Sequence, residues 1–455
     1  MKKYALVLLL PLAGCAPFAV QPDLPSLTAP SLPEVPADWQ VAQQTVGDVT
    51  VGWIDALSDP ALSELVREAQ RNNRDLQAAA AAVERALALA RQARSALFPT
   101  LNAVADASQA GPIDGGSTRA YSAGLQTQWE VDVWGRVRAS RQAAGYSAAS
   151  AEADYVFTQY SLAAAVAQTY FLMIEAGLQE QVSERNVAAL RETDRIVRAQ
   201  RELGAGSALD EALARSNVAN AEAALIDAAG SRRLAARALE VLLGRYPGAA
   251  VSGNSVLPTL PVVPAAGVPS SLLERRPDII AAELSIASAF SSVNAARAAR
   301  LPTISLTGGV NAGGDSVSDA LDLGDGTWQL AANLLGPLFD AGLRRAQVAE
   351  ASASQKLAIA TYAQTALNAF REVEDSLDQN AVLAERTALL AEAARQTQRA
   401  FDVAQLRYQE GETDLLDVLQ IQANTFSADS ALVTIQRQQL DEWINLHLAL
   451  GGSWE

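Results

Sequence analysis

The stretch Tyr121–Val131 reads YSAGLQTQWEV. Extended, it places Tyr121, Ala123, Leu125, Thr127, Trp129 and Val131 on one face and Ser122, Gly124, Gln126, Gln128 and Glu130 on the other. The first face is largely apolar, and the second is polar with one charge. Such alternation predicts a half-buried strand, and a sheet lying on helices would produce it too. Length and aromatic placement point instead to a membrane β-barrel. Segments of about ten residues suit a tilted bilayer crossing, and Trp129, Trp134, Trp328 and Phe339 fall where an aromatic girdle is expected. A polar opposite face is what a water-filled lumen needs.

The pattern recurs. Ile304, Leu306, Gly308 and Val310 oppose Ser305, Thr307, Gly309 and Asn311. Trp328, Leu330, Ala332 and Leu334 oppose Gln329, Ala331, Asn333 and Leu335, the last breaking the rule. TLNAVADAS, from Thr100, alternates least cleanly. Four strands cannot close a barrel, because bacterial barrels begin at about eight. An open edge in lipid would leave backbone groups unpaired at several kcal/mol each. The chain is therefore expected to assemble with copies of itself, as a dimer of eight strands or a trimer of twelve.

Around the strands the chain repeats. DLQAAAAAVERALALARQARSALFPTL from Asp75 matches DIIAAELSIASAFSSVNAARAARLPTI from Asp278, an offset of 203. GAGSALDEALARSN from Gly204 matches GETDLLDVLQIQAN from Gly411, an offset of 207 that also pairs Gly244 with Gly451. Fixed-period similarity of this kind marks a duplicated architecture. Each half reads as helix, strand pair, long helix, turn and shorter returning helix. The helices are expected at 61–97 and 275–300, ended by Pro99 and Pro302. The long ones follow at 136–202 and 341–409, and the returning ones at 207–244 and 414–450. About 67 residues at 1.5 Å each make a helix of about 100 Å. Phe370, Val373 and Leu377 mark a packing seam. The domain plan is then 1–14 signal peptide, 15–60 anchored Pro-rich segment, 61–244 first repeat, 245–274 connector and 275–455 second repeat.

Composition narrows the function. Hydrophobic residues make up 49%, much of it alanine, which suits closely packed helices. A net charge of −16 argues against a nucleic-acid partner, which calls for a basic stripe. One cysteine and one histidine exclude a disulfide within the chain and the usual zinc sites. His447, in INLHLALGG, reads as a packed or dipole-stabilising residue near a helix end. No nucleophile, base or metal constellation is present, so neither an enzyme nor a cofactor is expected. The N-terminus, MKKYALVLLLPLAGC, carries two lysines and an apolar run too short to span a bilayer, as a secretory signal does. Its LAGC resembles the bacterial lipoprotein signal, which makes Cys15 the expected lipidation site. No later stretch reads as a transmembrane helix.

These features coincide with FPTL and LPTI entering the hairpins, VDVWGRVR and PLFDAGLRRAQ leaving them, and RYQEGETDLLDVLQ at a turn. Together they resemble the outer membrane factors of TolC and OprM type, in the NodT-like lipoprotein branch that serves tripartite efflux pumps. The resemblance covers essentially the whole chain. It implies a mainly α protein with membrane β structure: a homotrimer whose twelve-stranded outer membrane β-barrel continues into a periplasmic twelve-helix α-barrel. It also implies a periplasmic adaptor and an inner-membrane RND-type transporter as partners, passive conduction of small molecules, and no chemistry by this subunit. Matched residue by residue, Tyr408 precedes the inner turn, Gly411 is the turn glycine, Leu416 a constriction residue and Asp417 an aperture carboxylate, with Asp210 its counterpart in the first half. The family often has a second aspartate where this chain has Gln420, and a basic residue where it has Thr413. The closing network is thus expected to differ, resting on Asp414 or Glu412 with Arg407. Asp210 and Asp417 also suit capping of helix starts after a glycine turn.

A type I protein-secretion duct would share this fold, and genomic neighbours would tell the two apart. A lipid-anchored structural scaffold would explain helices and anchor but not four alternating strands.

Overall fold

A computed structural model describes residues 17–41, 52–322, 324 and 326–452. The expected signal peptide and Cys15 lie outside the described residues. In chain order the elements are α1 (Leu24–Thr28), α2 (Trp53–Ala56), α3 (Pro60–Asn72), α4 (Arg74–Ser95), β1 (Thr100–Ala110), β2 (Thr118–Val131), α5 (Arg136–Glu202), α6 (Ala208–Leu242), α7 (Pro269–Arg275), α8 (Pro277–Ala298), β3 (Thr303–Gly314), α9 (Val317–Leu321), β4 (Thr327–Leu335), α10 (Leu343–Glu410) and α11 (Leu415–Ala449). The chain divides into two compact units, Met1–Pro33 with Ala81–Ala153 and Asp278–Thr365, and Glu34–Ala80 with Asp154–Pro277 and Ala366–Glu455.

The first unit holds the sheet. Its strands pair antiparallel in the order β1-β2-β3-β4. TLNAVADAS, the least regular in sequence, is a full strand, because all eleven residues of β1 find partners on β2. The second hairpin ends at Leu335 rather than near 340, which leaves Phe339 beyond the strand. Its connection carries α9, a short helix that no periodicity announces; Ser316 and Asp319 form a capping box there. Both hairpins pass into long helices in the same way. Gly135 and Gly342 take φ of 84° and 90°, which suits a residue without Cβ. Asp132 then accepts the amides of Val137 and Arg138, and Asp340 that of Arg344. These carboxylates satisfy helix N–H groups that have no partner within the helix. The four extra residues of the second half lie before α10: one in the hairpin, three in the link 336–342 against 132–135.

The second unit holds the main core. Trp443, Tyr170, Phe171, Ile54, Leu62, Leu239 and Ile444 are fully buried in it. Burying a large apolar side chain contributes about 1.5–3 kcal/mol, so this cluster dominates the unit's stability. His447 lies within it between Trp443, at a centroid distance of 4.2 Å, and Trp53, at 6.3 Å. Among the described residues neither of its ring nitrogens has a partner, and burial pushes its pKa down to about 4. The packed role holds and the dipole-stabilising one does not, since the ring is neutral.

Two expectations need correction. The helix expected at 61–97 breaks at Asn73, and that at 275–300 breaks at Arg276, which precedes a proline and is therefore extended. The breaks are repeat-equivalent, and each serves the returning helix. Asn73 Nδ2 donates to the Leu242 carbonyl at 2.9 Å, and Arg276 Nη1 to that of Ala449 at 3.2 Å. Each thereby satisfies a carbonyl orphaned at a helix end. In addition, α5 and α8 are each long and apolar enough to cross a bilayer, which the sequence did not suggest. Their alanine content raises the apolar average, and most of the α5 window is buried inside the chain.

The connector is pinned by buried polar groups. Glu240, almost fully buried, accepts the amides of Ala249, Ala250 and Val251 at 2.6–3.0 Å. Burial opposes its charge, but these backbone donors win and hold the carboxyl below its ordinary pKa. Asp59 caps α3 and accepts from Tyr170 Oη at 3.1 Å and Asn254 Nδ2 at 2.8 Å. Burial, with Asp59 alongside, pushes the Tyr170 hydroxyl up to about 12. Further along, the indole of Trp443 donates to Val262 O and that of Trp39 to Gly267 O, both at 3.1 Å.

Candidate pore wall and aperture

Cross-strand register decides whether the alternation of single strands becomes two faces of one sheet. It does. Ala103, Leu125, Val310 and Trp328 stand in one row, and Leu101, Thr127, Gly308 and Leu330 in the next row of the same face. Val131, Ile304 and Leu334 complete it at the helix end. The other face carries Asn102, Gln126, Gly309 and Gln329 in one row, with Gln128, Thr307 and Ala331 beside it. One face therefore suits lipid and the other water. β1 pairs only with β2 and β4 only with β3 among the described residues, so the sheet has two open edges.

The aromatic residues separate into two kinds. The indole of Trp129 donates to Leu97 O at 3.0 Å, and that of Trp134 to Pro302 O at 2.7 Å, tying strands to the helix ends before them. Trp328 and Phe339 are 79% and 90% exposed. Trp129 pairs with Leu306 and Trp328 with Val310, four residues apart or about 13 Å of strand, so these two tryptophans mark different levels.

The far ends of the long helices lie in the second unit. α5 and α10 each stop at a glycine with φ of 77°, Gly204 and Gly411. The bonds that close them are equivalent: Ala205 N to Gln200 O, and Glu412 N to Arg407 O, each at 2.9 Å. Val187, Val197, Phe401, Ala404, Leu415 and Val418 pack these ends together. Tyr408 is buried among them, and its hydroxyl donates to Gln200 Oε1 at 2.9 Å. Burial raises its pKa, and the charge of Asp210 raises it further.

The returning helices begin differently. Ser207 is the N-cap of α6, and Asp210 completes its capping box as the third helical residue. Asp414 holds the N-cap position of α11 without a side-chain bond, and Thr413 Oγ1 donates to Asp417 Oδ2 at 3.0 Å. Asp210 and Asp417 thus support the first turns from inside the helices, while Ser207 and Asp414 stand at the caps. Leu209 and Leu416, equivalent in the repeat, are 66% and 68% exposed. Gln420 bonds along its own helix to Asn424. Among the described residues no ion pair joins Arg407 to Glu412 or Asp414, whereas Arg201 pairs with Glu211 across the first turn. Arg407 lies in the last turn of α10, and its carbonyl accepts from the amide of Glu412 just past the glycine turn. Gln200, the partner of Tyr408, escaped sequence reading because a lone glutamine in a helix carries no signal.

Comparisons with known proteins agree with this geometry. The family model for outer membrane efflux protein matches residues 65–245 and 268–452, the two repeats. The probable efflux pump outer membrane protein TtgC of Pseudomonas putida is 33% identical over 97% of this chain and 93% of its own. The cation efflux system protein CusC of Escherichia coli is 29% identical over 98% and 97%. A crystal structure of CusC superposes with a TM-score of 0.84 at 28% identity, covering 93% of this chain and 98% of that one. The open-state outer membrane channel MtrE of Neisseria gonorrhoeae gives 0.80 at 29%, over 93% and 98%. A two-faced sheet, two very long helices and duplicated halves that match this family over their whole length have one meaning: the chain belongs to the outer membrane efflux protein family and is the outer-membrane exit duct of an efflux system.

Proposed function

We propose that three copies form the working channel, with twelve strands in the outer membrane and twelve helical staves beneath. The observation that carries this is the sheet's pair of open edges beside its apolar face. β1 and β4 run in opposite directions, so β4 of one copy can pair antiparallel with β1 of the next, and lipid leaves no alternative to closure. The polar face, with Asn102, Gln126 and Gln329, then lines the lumen, and Trp328 and Phe339 meet the membrane with Trp129 and Trp134 behind them. Cys15 bears the lipid anchor. Compounds pass down their gradient, delivered by an inner-membrane RND-type transporter through a periplasmic adaptor, and no bond is made or broken here.

At the periplasmic end Tyr408 holds α10 to α5, Gly411 sets the turn, and Leu416 narrows the opening. Asp417 and Asp210, with Asp414 at the helix start, surround it with negative charge. A ring of like charges favours cations over anions. Thr413 and Gln420, which stand where the family has a basic residue and a second aspartate, bond locally to Asp417 and Asn424, so closure rests on the Tyr408–Gln200 hydrogen bond.

Deleting this gene while leaving the neighbouring pump and adaptor genes intact tests the role. Hypersensitivity to dyes, antibiotics or metal ions, restored by the intact gene, is the expected result and identifies the exported class. Unchanged susceptibility with loss of a secreted protein would replace efflux by protein secretion.

A further inference from the structure

We infer that the membrane end of the helical wall binds anionic phospholipids of the periplasmic leaflet, through a cluster of Arg297, Arg300 and Arg345 that takes the lipid phosphate. This rests on the Cys15 anchor proposed above and adds the class of lipid.

Charge is unevenly placed along the chain. Segments 91–99, 132–145, 294–302 and 336–349, where helices meet strands, hold nine arginines and two aspartates in a chain of net charge −16. At the far end of α10, residues 400–420 hold one arginine and five carboxylates. A helix face that only meets water mixes both signs, so the separation needs a cause.

Helix dipoles explain part of the set. Arg94 and Arg297 stand in the last turns of α4 and α8, where a cation is favoured. Arg136, Arg138, Arg344 and Arg345 stand in the first turns of α5 and α10, where a cation is disfavoured, and neither turn holds an acid. Glu130, Asp132 and Asp340 pair with the first three of these. The six left over, Arg91, Arg94, Arg141, Arg297, Arg300 and Arg345, are exposed, and among the described residues their side chains make no ion pair or hydrogen bond.

Three of the six come together. The Arg344 guanidinium donates to the Ala299 carbonyl, so α10 begins against the end of α8. Arg345 and Arg300 are the next residues along from that bond on either side. The Arg300 amide donates to the Arg297 carbonyl at 3.2 Å, which keeps Arg297 one turn away.

Two observations put this cluster at the height of the lipid headgroups. Leu338, Phe339 and Leu343 are exposed between the end of β4 and the start of α10, so bare apolar surface runs up to Arg345. Apolar surface giving way to guanidinium groups is the profile of a membrane boundary. The Phe18 amide donates to the Trp134 carbonyl at 3.3 Å, and the Trp134 indole to Pro302 O, two residues past Arg300, at 2.7 Å. Cys15 precedes Phe18 by three residues and is at most about 10 Å from it. Acyl chains on Cys15 therefore enter the bilayer beside these arginines. Arginine holds a phosphate by two parallel hydrogen bonds. A zwitterionic headgroup carries its own ammonium against that phosphate, so the cluster selects lipids with net negative charge.

Native mass spectrometry of the full-length protein in neutral detergent, titrated with phosphatidylglycerol or phosphatidylcholine, tests the site. Phosphatidylglycerol should bind at least about tenfold more tightly, and the preference should shrink as ammonium acetate is raised. Arg345→Gln alone should lower the preference by about fivefold, and Arg297→Gln, Arg300→Gln and Arg345→Gln together should abolish it. Arg215→Gln, Arg237→Gln and Arg399→Gln together remove three exposed arginines of the second unit and should leave it unchanged. Equal affinity for the two lipids, a preference that survives the first triple variant, or one lost equally in the second, overturns the site. So does displacement of the lipid by inorganic phosphate at matched ionic strength, which would mark a site for free anions. The same spectra give the oligomer mass and the acyl mass on Cys15, so failure of the trimer or of the anchor shows separately from failure of the lipid site.

Discussion

Tyr408→Phe removes one oxygen from the proposed aperture and leaves the packing in place. The ring stays among Val197, Ala404 and Val418, so no cavity opens. What is lost is the 2.9 Å bond to Gln200. A hydrogen bond of this kind contributes about 0.5–1.5 kcal/mol net. Gln200 is part-exposed, so water can replace the hydroxyl and the lower half of that range applies. Three copies lose about 1.5–3 kcal/mol together if all three bonds break on opening. At about 1.4 kcal/mol per decade, the closed-to-open ratio falls by roughly tenfold to a hundredfold. Single-channel recording in planar bilayers measures that ratio directly, and uptake of a bulky antibiotic by intact cells reports it in vivo. Gln200→Ala should act in the same direction, because it removes the same bond from the other side. An open probability within twofold of the parent in both variants, with the trimer intact, would refute the assignment of Tyr408 as the closing contact.

Asp210→Ala with Asp417→Ala should reduce cation preference and raise leak conductance in the same bilayers, and unchanged selectivity would remove these carboxylates from the aperture. His447 gives a pH dependence. Its pKa is near 4 in the fold and near 6.5 when unfolded, so the unfolded chain takes up the proton first. Stability is therefore full above about pH 6.5 and falls as the pH drops toward 4, by about 3 kcal/mol at most. Denaturant midpoints of the parent and His447→Leu, compared from pH 7.5 to 4, should show a shallower decline in the variant.

Much of this molecule was legible because its signals are periodic. The strands of β2 and β4, the ends of α5 and the duplicated register each rest on many residues that agree, and the cross-strand rows show that the faces read on single strands belong to one sheet. Lone residues with several possible partners were not legible. Asn73 and Arg276 interrupt helices that alanine-rich sequence favours throughout, because each is bonded to a carbonyl more than 160 residues away. Asp59, Tyr170 and Asn254 come from three separate segments and give no motif. Helical apolarity also misled, since the alanines that let α5 pack closely make it resemble a membrane span.

Three glycines on the polar face of the sheet carry a consequence for evolution. A Cβ on Gly124 would lie 2.2 Å from the Val310 carbonyl oxygen, one on Gly313 3.0 Å from that of Tyr121, and one on Gly309 3.1 Å from that of Leu125. Each obstacle is the backbone of a neighbouring strand, which cannot swing aside as a side chain can. Even alanine at Gly124 would force the two strands apart rather than merely intrude on the bore. At these rows the calibre of the duct is written into the main chain, so selection for a narrower or more discriminating passage has to act at other heights.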